Sequence, residues 1–171
     1  MKNNMHKFPT VIFIYLFLSL CLNAEELNNT LAESDNTKSE IFNIESGLYK
    51  KMMPRAEHGD AVAQSTLGMM YLYGFGVKRN YKQALKWSRL AAEQGDAWGH
   101  HNLGDMYQFG KGVPKDAVLA YMWWNLAAAN STFTGASIER NNISKKMTPS
   151  QIEEAQKLSR ECLKKEYKNC Y

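Results

Sequence analysis

Residues 61–95 read AVAQSTLGMMYLYGFGVKRNYKQALKWSRLAAEQG, and residues 97–129 read AWGHHNLGDMYQFGKGVPKDAVLAYMWWNLAAA. The second stretch repeats the first 36 residues later. Leu67-Gly68 falls on Leu103-Gly104, Tyr71 on Tyr107, Gly74 on Gly110, and Gly76-Val77 on Gly112-Val113. Ala84 falls on Ala120, Trp87 on Trp123, and Ala91-Ala92 on Ala127-Ala128. A fixed period of roughly 20–50 residues marks a stacked repeat array. Each unit of such an array packs on its neighbours and leaves an extended surface.

Each copy divides into two helical halves. The first is predicted over Ala61 to Tyr73 and again over Ala97 to Phe109. Its spacing (Ala63, Leu67, Met70, Tyr71; then Gly99, Leu103, Met106, Tyr107) is the three-four step of a one-sided helix. Gly68 and Gly104 sit inside these helices, where glycine costs about 1 kcal/mol relative to alanine. Their recurrence points to close approach by a neighbouring helix. The Gly-x-Gly turns at Gly74 and Gly110 should stop the helix with left-handed backbone. The second half begins near Asn80 and near Asp116, both good N-cap residues.

The flanks depart from the period. A helical pattern at Ile41, Ile44, Leu48, Met52 and Ala56 ends at His58-Gly59-Asp60, one period before Gln94-Gly95-Asp96. It reads as the second helix of a degenerate repeat, with Pro54 expected to kink or shorten it. Ala136 to Lys146 reads as a further, more polar first helix. Gln151 to Lys165 then places Ile152, Ala155, Leu158 and Cys162 on one side, with Thr148 or Ser150 as the cap. The predicted organisation is a leader over 1–24, a flexible lead-in over 25–40 and a half-repeat over 41–59. Repeats at 60–95 and 96–131 follow, then a capping helix pair over 132–171.

The leader is a secretory signal peptide in layout. Lys2, His6 and Lys7 precede the apolar run from Val11 to Leu22, and Ala24 stands at the cleavage position. That run is too short for a membrane span, which needs roughly 20 residues. Cys21 sits in a string that only partly fits a lipid-attachment signal, since Leu20 stands where a small residue is wanted. Without Lys2 and Lys7, 19 of the 21 basic residues face 17 acidic ones. That balance argues for neither nucleic acid nor a membrane surface. The charge is uneven, acidic before residue 45 and basic after residue 139. Cys162 and Cys170 are the two cysteines past the leader. On one continuous helix they would stand about 12 Å apart along the axis, beyond the roughly 7 Å limit for a bridge. They pair only if the chain turns back after about Lys165; otherwise they are two free thiols.

The pattern Ala61-x-Ala63-Gln64-x-x-Leu67-Gly68-x-x-Tyr71-x-x-Gly74-x-Gly76-Val77, followed by Ala84, Trp87, Ala91-Ala92 and Gly95-Asp96, resembles the Sel-one-like repeat family. This family is related to the tetratricopeptide repeats. The second copy departs at Gly99-His100 and Ser131-Thr132. The resemblance spans about Leu48 to Cys170. It implies an all-α, right-handed α-solenoid of antiparallel helix pairs that serves as an adaptor, often in bacterial envelope or secreted proteins, without catalytic residues. Cysteine-rich members bridge neighbouring helices across seven intervening residues. Leu163 to Asn169 is such a stretch, so the resemblance implies a Cys162–Cys170 disulfide.

Enzyme signatures are sparse. No Ser-x-x-Lys occurs, and Ser34-Asp35-Asn36 stands alone in the lead-in. His101 and Asp105 share a helix face with His100 beside them, but the set lacks a further ligand at metal spacing, and no cofactor is expected. In the tetratricopeptide relatives, ligands lie along the inner face of the first helices. Carried over by repeat position, that face is Val62, Ser65, Met69, Leu72 and Tyr73 in the first copy. In the second it is Trp98, His101, Asp105, Gln108 and Phe109. Aromatic anchors with a few polar groups suit peptide capture; the alternative is that these residues pack against the degenerate first helix or the tail. The expectation is a secreted or periplasmic, monomeric adaptor for a protein or peptide. A hydrolase of cell-wall peptide or β-lactam, or a self-assembling envelope factor, are the alternatives.

Overall fold

Asp60 and Asp96 open the two first helices in the same way. Each has extended backbone, and its carboxylate accepts the N–H three residues on, from Ala63 at 3.0 Å and Gly99 at 2.8 Å. The computed structural model describes residues 46–129 and 134–170. The leader, the lead-in and the start of the 41–59 segment lie outside the described residues. Helix α1 covers 46–57. It is followed by α2 (Ala61–Tyr73), α3 (Tyr81–Ala92), α4 (Ala97–Phe109), α5 (Ala117–Ala129), α6 (Thr134–Ser144) and α7 (Pro149–Lys164). There is no strand among the described residues.

The period of the sequence is a period of hydrogen bonds. Gly74 and Gly110 have φ of 84° and 66°, and their N–H groups close on Met70 O and Met106 O. The loops then return identically: Asn80 N–H donates to Tyr71 O at 2.9 Å, and Asp116 N–H to Tyr107 O at 3.0 Å. Asn80 and Asp116 next cap α3 and α5 through the N–H groups of Gln83 and Leu119. The two helix starts read from sequence are therefore the observed ones.

Packing explains the small residues. A Cβ on Gly104 would lie 2.5 Å from the Trp124 ring, and one on Gly68 would lie 2.4 Å from Ser88 Oγ. These glycines let α5 and α3 approach α4 and α2, as the recurrence suggested. Met52 and Ala56 of α1 pack with Ala63, Leu67, Met70 and Trp87, so the half-repeat shares the core. The larger core lies at the other end, where Leu103, Trp123, Trp124, Leu126, Ile143 and Cys162 meet. The apolar transfer that each repeat cannot complete alone is completed by its neighbours.

Three details depart from the sequence reading. Pro54 does not end α1, which runs on to residue 57, with Pro54 O accepting His58 N–H at 3.1 Å. Helix α6 begins two residues earlier than expected and stops at Ser144. Helix α7 starts at Pro149, with Thr148 and Gln151 forming a reciprocal capping box. Beyond α7 the chain does turn back. Glu166, Tyr167 and Asn169 take φ of 51°, 63° and 51°, and Cys162 is bonded to Cys170 with Cα atoms 5.2 Å apart.

Candidate functional site

At 100° per residue, Val62, Met69 and Tyr73 lie within about 40° of one line along α2, while Ser65 and Leu72 fall roughly 60–80° to one side. The structure follows that phase. Val62 and Tyr73 are 59% and 39% exposed, and Met69 is half-buried. Leu72 is buried with Ala84 and Met106 between α2, α3 and α4, which removes it from the expected face. Ser65 is also buried. Its hydroxyl donates to Val62 O at 3.1 Å, and its carbonyl accepts Asn102 Nδ2 at 3.0 Å. Only the floor of a recess remains to it.

On α4 the same line exposes Trp98 (48%) and Phe109 (60%), with His101 and Gln108 half-buried. Asp105 departs from expectation, because it is buried. Tyr73 Oη donates to its Oδ2, Trp124 Nε1 donates to its Oδ1 at 3.3 Å, and His101 Nε2 stands 3.8 Å away. Asp105 therefore anchors the Tyr73 ring instead of meeting a ligand. Burial, then the Asp105 hydrogen bond, pushes the Tyr73 phenol well above its ordinary range, so its proton stays in that bond.

The face is not uniform. Val62, Ser65, Thr66, Met69 and Trp98 line an apolar notch of about 200 Å³ between α2 and α4. Tyr73 stacks on Phe75 at 5.7 Å, and Lys111 Nζ lies 4.7 Å from the Tyr73 ring centre and 5.1 Å from that of Phe109. A second recess of about 400 Å³ opens between α4, α5 and α6, over Trp124. Its rim carries Gln108, Glu139, Asn142, Lys145 and Lys146. Only Gln108 of these was foreseen. Helix α6 has lost the repeat pattern, so repeat position could not carry the face onto it.

His100 belongs to the core. Its Nε2 lies 3.1 Å from Ala92 O, eight residues back, as Gln64 Nε2 lies 3.0 Å from Ala56 O. The Gln-to-His departure between the copies thus preserves one inter-helix hydrogen bond. The ring stacks on Trp123 and meets Tyr167, and burial lowers its pKa to about 4. His100 and His101 accordingly face different surroundings. Among the described residues no group of three His, Cys, Asp or Glu side chains is placed to hold a metal ion.

Paired helices stacked on a 36-residue period define an all-α helical solenoid of the repeat class. The Sel1 repeat family matches residues 61–96 and 99–131. Among solved structures, the chain is similar to a protective antigen present in uropathogenic Escherichia coli strains, described as displaying an SLR fold. The identity is 34% and the TM-score 0.65, covering 71% of this chain and 26% of that one. The chain is a Sel1-like repeat protein. It thus spans about a quarter of the antigen's length. No curated protein matches the chain. Sel1-like repeat proteins generally mediate protein–protein interaction, and no helix among the described residues is long and apolar enough to cross a membrane.

Proposed function

We propose that this chain is an extracytoplasmic adaptor that holds a protein or peptide partner against the inner face of α2 and α4. One observation carries this reading. Val62, Tyr73, Trp98 and Phe109 are large, exposed and aligned along one line of the two first helices, whereas the other exposed large apolar residues (Leu48, Phe75, Leu90, Ile138 and Leu163) stand singly on other elements. Exposed aromatic anchors beside a notch are the features on which interface energy concentrates. The Cys162–Cys170 bond and the leader-like start support a compartment outside the cytoplasm. Similarity to a bacterial antigen points the same way. The test is retention of partners from an envelope extract by the wild-type chain and by the Trp98→Ala/Phe109→Ala variant, with helicity and melting measured for both. Loss of the retained partners by a folded variant is expected. Equal retention would remove the groove from the reading.

A further inference from the structure

The two recesses differ in chemistry, and α4 is a wall of both. The notch at Trp98 is apolar, lined by Val62, Met69 and the methyl-bearing Thr66. The recess at Gln108 is polar and cationic: Lys145 and Lys146 stand on its rim, and Glu139 is the one carboxylate of its lining. Lys145 and Lys146 are exposed and form no ion pair among the described residues. Lys111 adds a third positive charge over the Tyr73 and Phe109 rings of the same face. Asp105, the other carboxylate on this face, is buried and already accepts from Tyr73 and Trp124. The amides of Gln108 and Asn142 each offer a donor and an acceptor, which matches the paired needs of a peptide backbone.

From these placements we infer that the groove takes an extended acidic peptide segment, with an apolar side chain in the notch and carboxylates at Lys145 and Lys146. This rests on the adaptor reading above and names its partner class. The spacing follows from the helix. Trp98 and Gln108 are ten residues apart on α4, about 15 Å at 1.5 Å per residue. An extended peptide rises about 3.3 Å per residue, so the residue in the notch and the one beside Gln108, in the recess that Lys145 and Lys146 also line, stand roughly four to five residues apart. The notch volume admits one medium-sized aliphatic side chain. The three lysines give the segment its charge preference, and that preference weakens with salt because all of these charges meet solvent.

The probes are fluorescein-labelled Gly/Ser peptides with blocked ends. Each carries one Leu and, five residues away, Glu-Glu, Gln-Gln or Lys-Lys, in both chain directions. Anisotropy is measured with the wild-type chain, with Lys145→Gln/Lys146→Gln and with Trp98→Ala; all three positions are exposed, so folding is retained. In at least one direction the Glu-Glu peptide binds the wild type roughly tenfold or more tighter than the Gln-Gln peptide. The lysine variant loses most of that preference but still binds the Leu-bearing peptides. Trp98→Ala weakens all of them. Equal binding of Glu-Glu and Gln-Gln peptides, still lost with Trp98→Ala, overturns the acidic class and leaves the groove reading standing. Failure of every peptide to bind the wild type overturns both. Self-association in light scattering that disappears with Trp98→Ala makes a second copy the occupant and overturns the peptide assignment.

Discussion

His100 shows how one substitution between repeats changes a physical property without changing a contact. Its Nε2 meets Ala92 O as Gln64 Nε2 meets Ala56 O, but a glutamine cannot be protonated in this range and a histidine can. Burial against Trp123 and Tyr167 disfavours the charged ring and lowers its pKa from 6.5 to about 4. Below 6.5 the unfolded chain therefore binds a proton that the folded chain refuses. The contribution is complete above pH 6.5 and is lost progressively as pH falls from there through about 4, on the order of 3 kcal/mol in all. Asp60, whose carboxyl is held below 3.8 by the Ala63 N–H and then Arg55, acts at lower pH. Denaturant melts at pH 7 and pH 4.5 should show the loss, and His100→Gln should flatten it even if absolute stability drops with the missing ring. An unchanged slope in that variant would refute the assignment. Asp105 makes the second residue-scale case. Asp105→Ala leaves Tyr73 Oη and Trp124 Nε1 without their acceptor. A loss of about 1–3 kcal/mol is expected by chemical denaturation.

Between elements, the telling distances are those that a side chain would have to fit. Gly68 and Gly104 hold equivalent positions, yet their neighbours differ. Alanine at Gly104 meets the rigid, fully buried Trp124 ring, whereas alanine at Gly68 first meets the rotatable Ser88 hydroxyl. Overpacking costs about 1–3 kcal/mol, against about 1 kcal/mol gained by replacing a helical glycine. Gly104→Ala is thus expected to lower Tm clearly and Gly68→Ala to lower it less; the reverse order would contradict the packing described. The terminal loop offers a further check. Tyr167 sits over Gly95 and His100, Lys168 Nζ donates to Glu93 O at 2.8 Å, and the Cys162–Cys170 bond closes the segment. Reduction should cost about 2–3 kcal/mol by the loop-closure argument, and amide exchange should quicken first around Glu93–Gly95. Elements of this kind were legible where the period holds: α2 and α4 run over the residues their spacing marks. They were less legible at α6, which has only a weak apolar stripe to fix its ends, and at Pro54, past which α1 runs on to residue 57.

At the scale of the whole molecule, sequence located a line of exposed residues on the first helices but not how deep its neighbours lie. Val62, Trp98 and Phe109 are exposed where repeat position placed them, because one line of a helix is a property of that helix. Leu72 and Ser65 lie on the flank of the line and Asp105 on the line itself, at the position Met69 holds in the first copy, and how far neighbouring side chains cover each of them is decided by packing that no spacing encodes. The cationic rim at Lys145 and Lys146 was hidden for a related reason, since it belongs to the turn that follows α6, outside the repeat. The same nearest-neighbour logic predicts how the stack comes apart. Met52 and Ala56 cover Ala63, Leu67, Met70 and Trp87, while the core around Trp123 and Trp124 is built without α1. A chain beginning at Phe42 retains that cover and one beginning at Asp60 loses it. In a solenoid, the loss falls on the adjacent repeat and fades along the array. Hydrogen exchange of the shorter chain should therefore show α2 and α3 losing protection, with α4, α5 and α7 close to their original protection. The newly bared Leu67–Met70–Trp87 surface should also raise its tendency to self-associate in light scattering. Uniform loss of protection in all helices would mean that the stack folds as one cooperative block, and the nearest-neighbour description would then be wrong for an array this short.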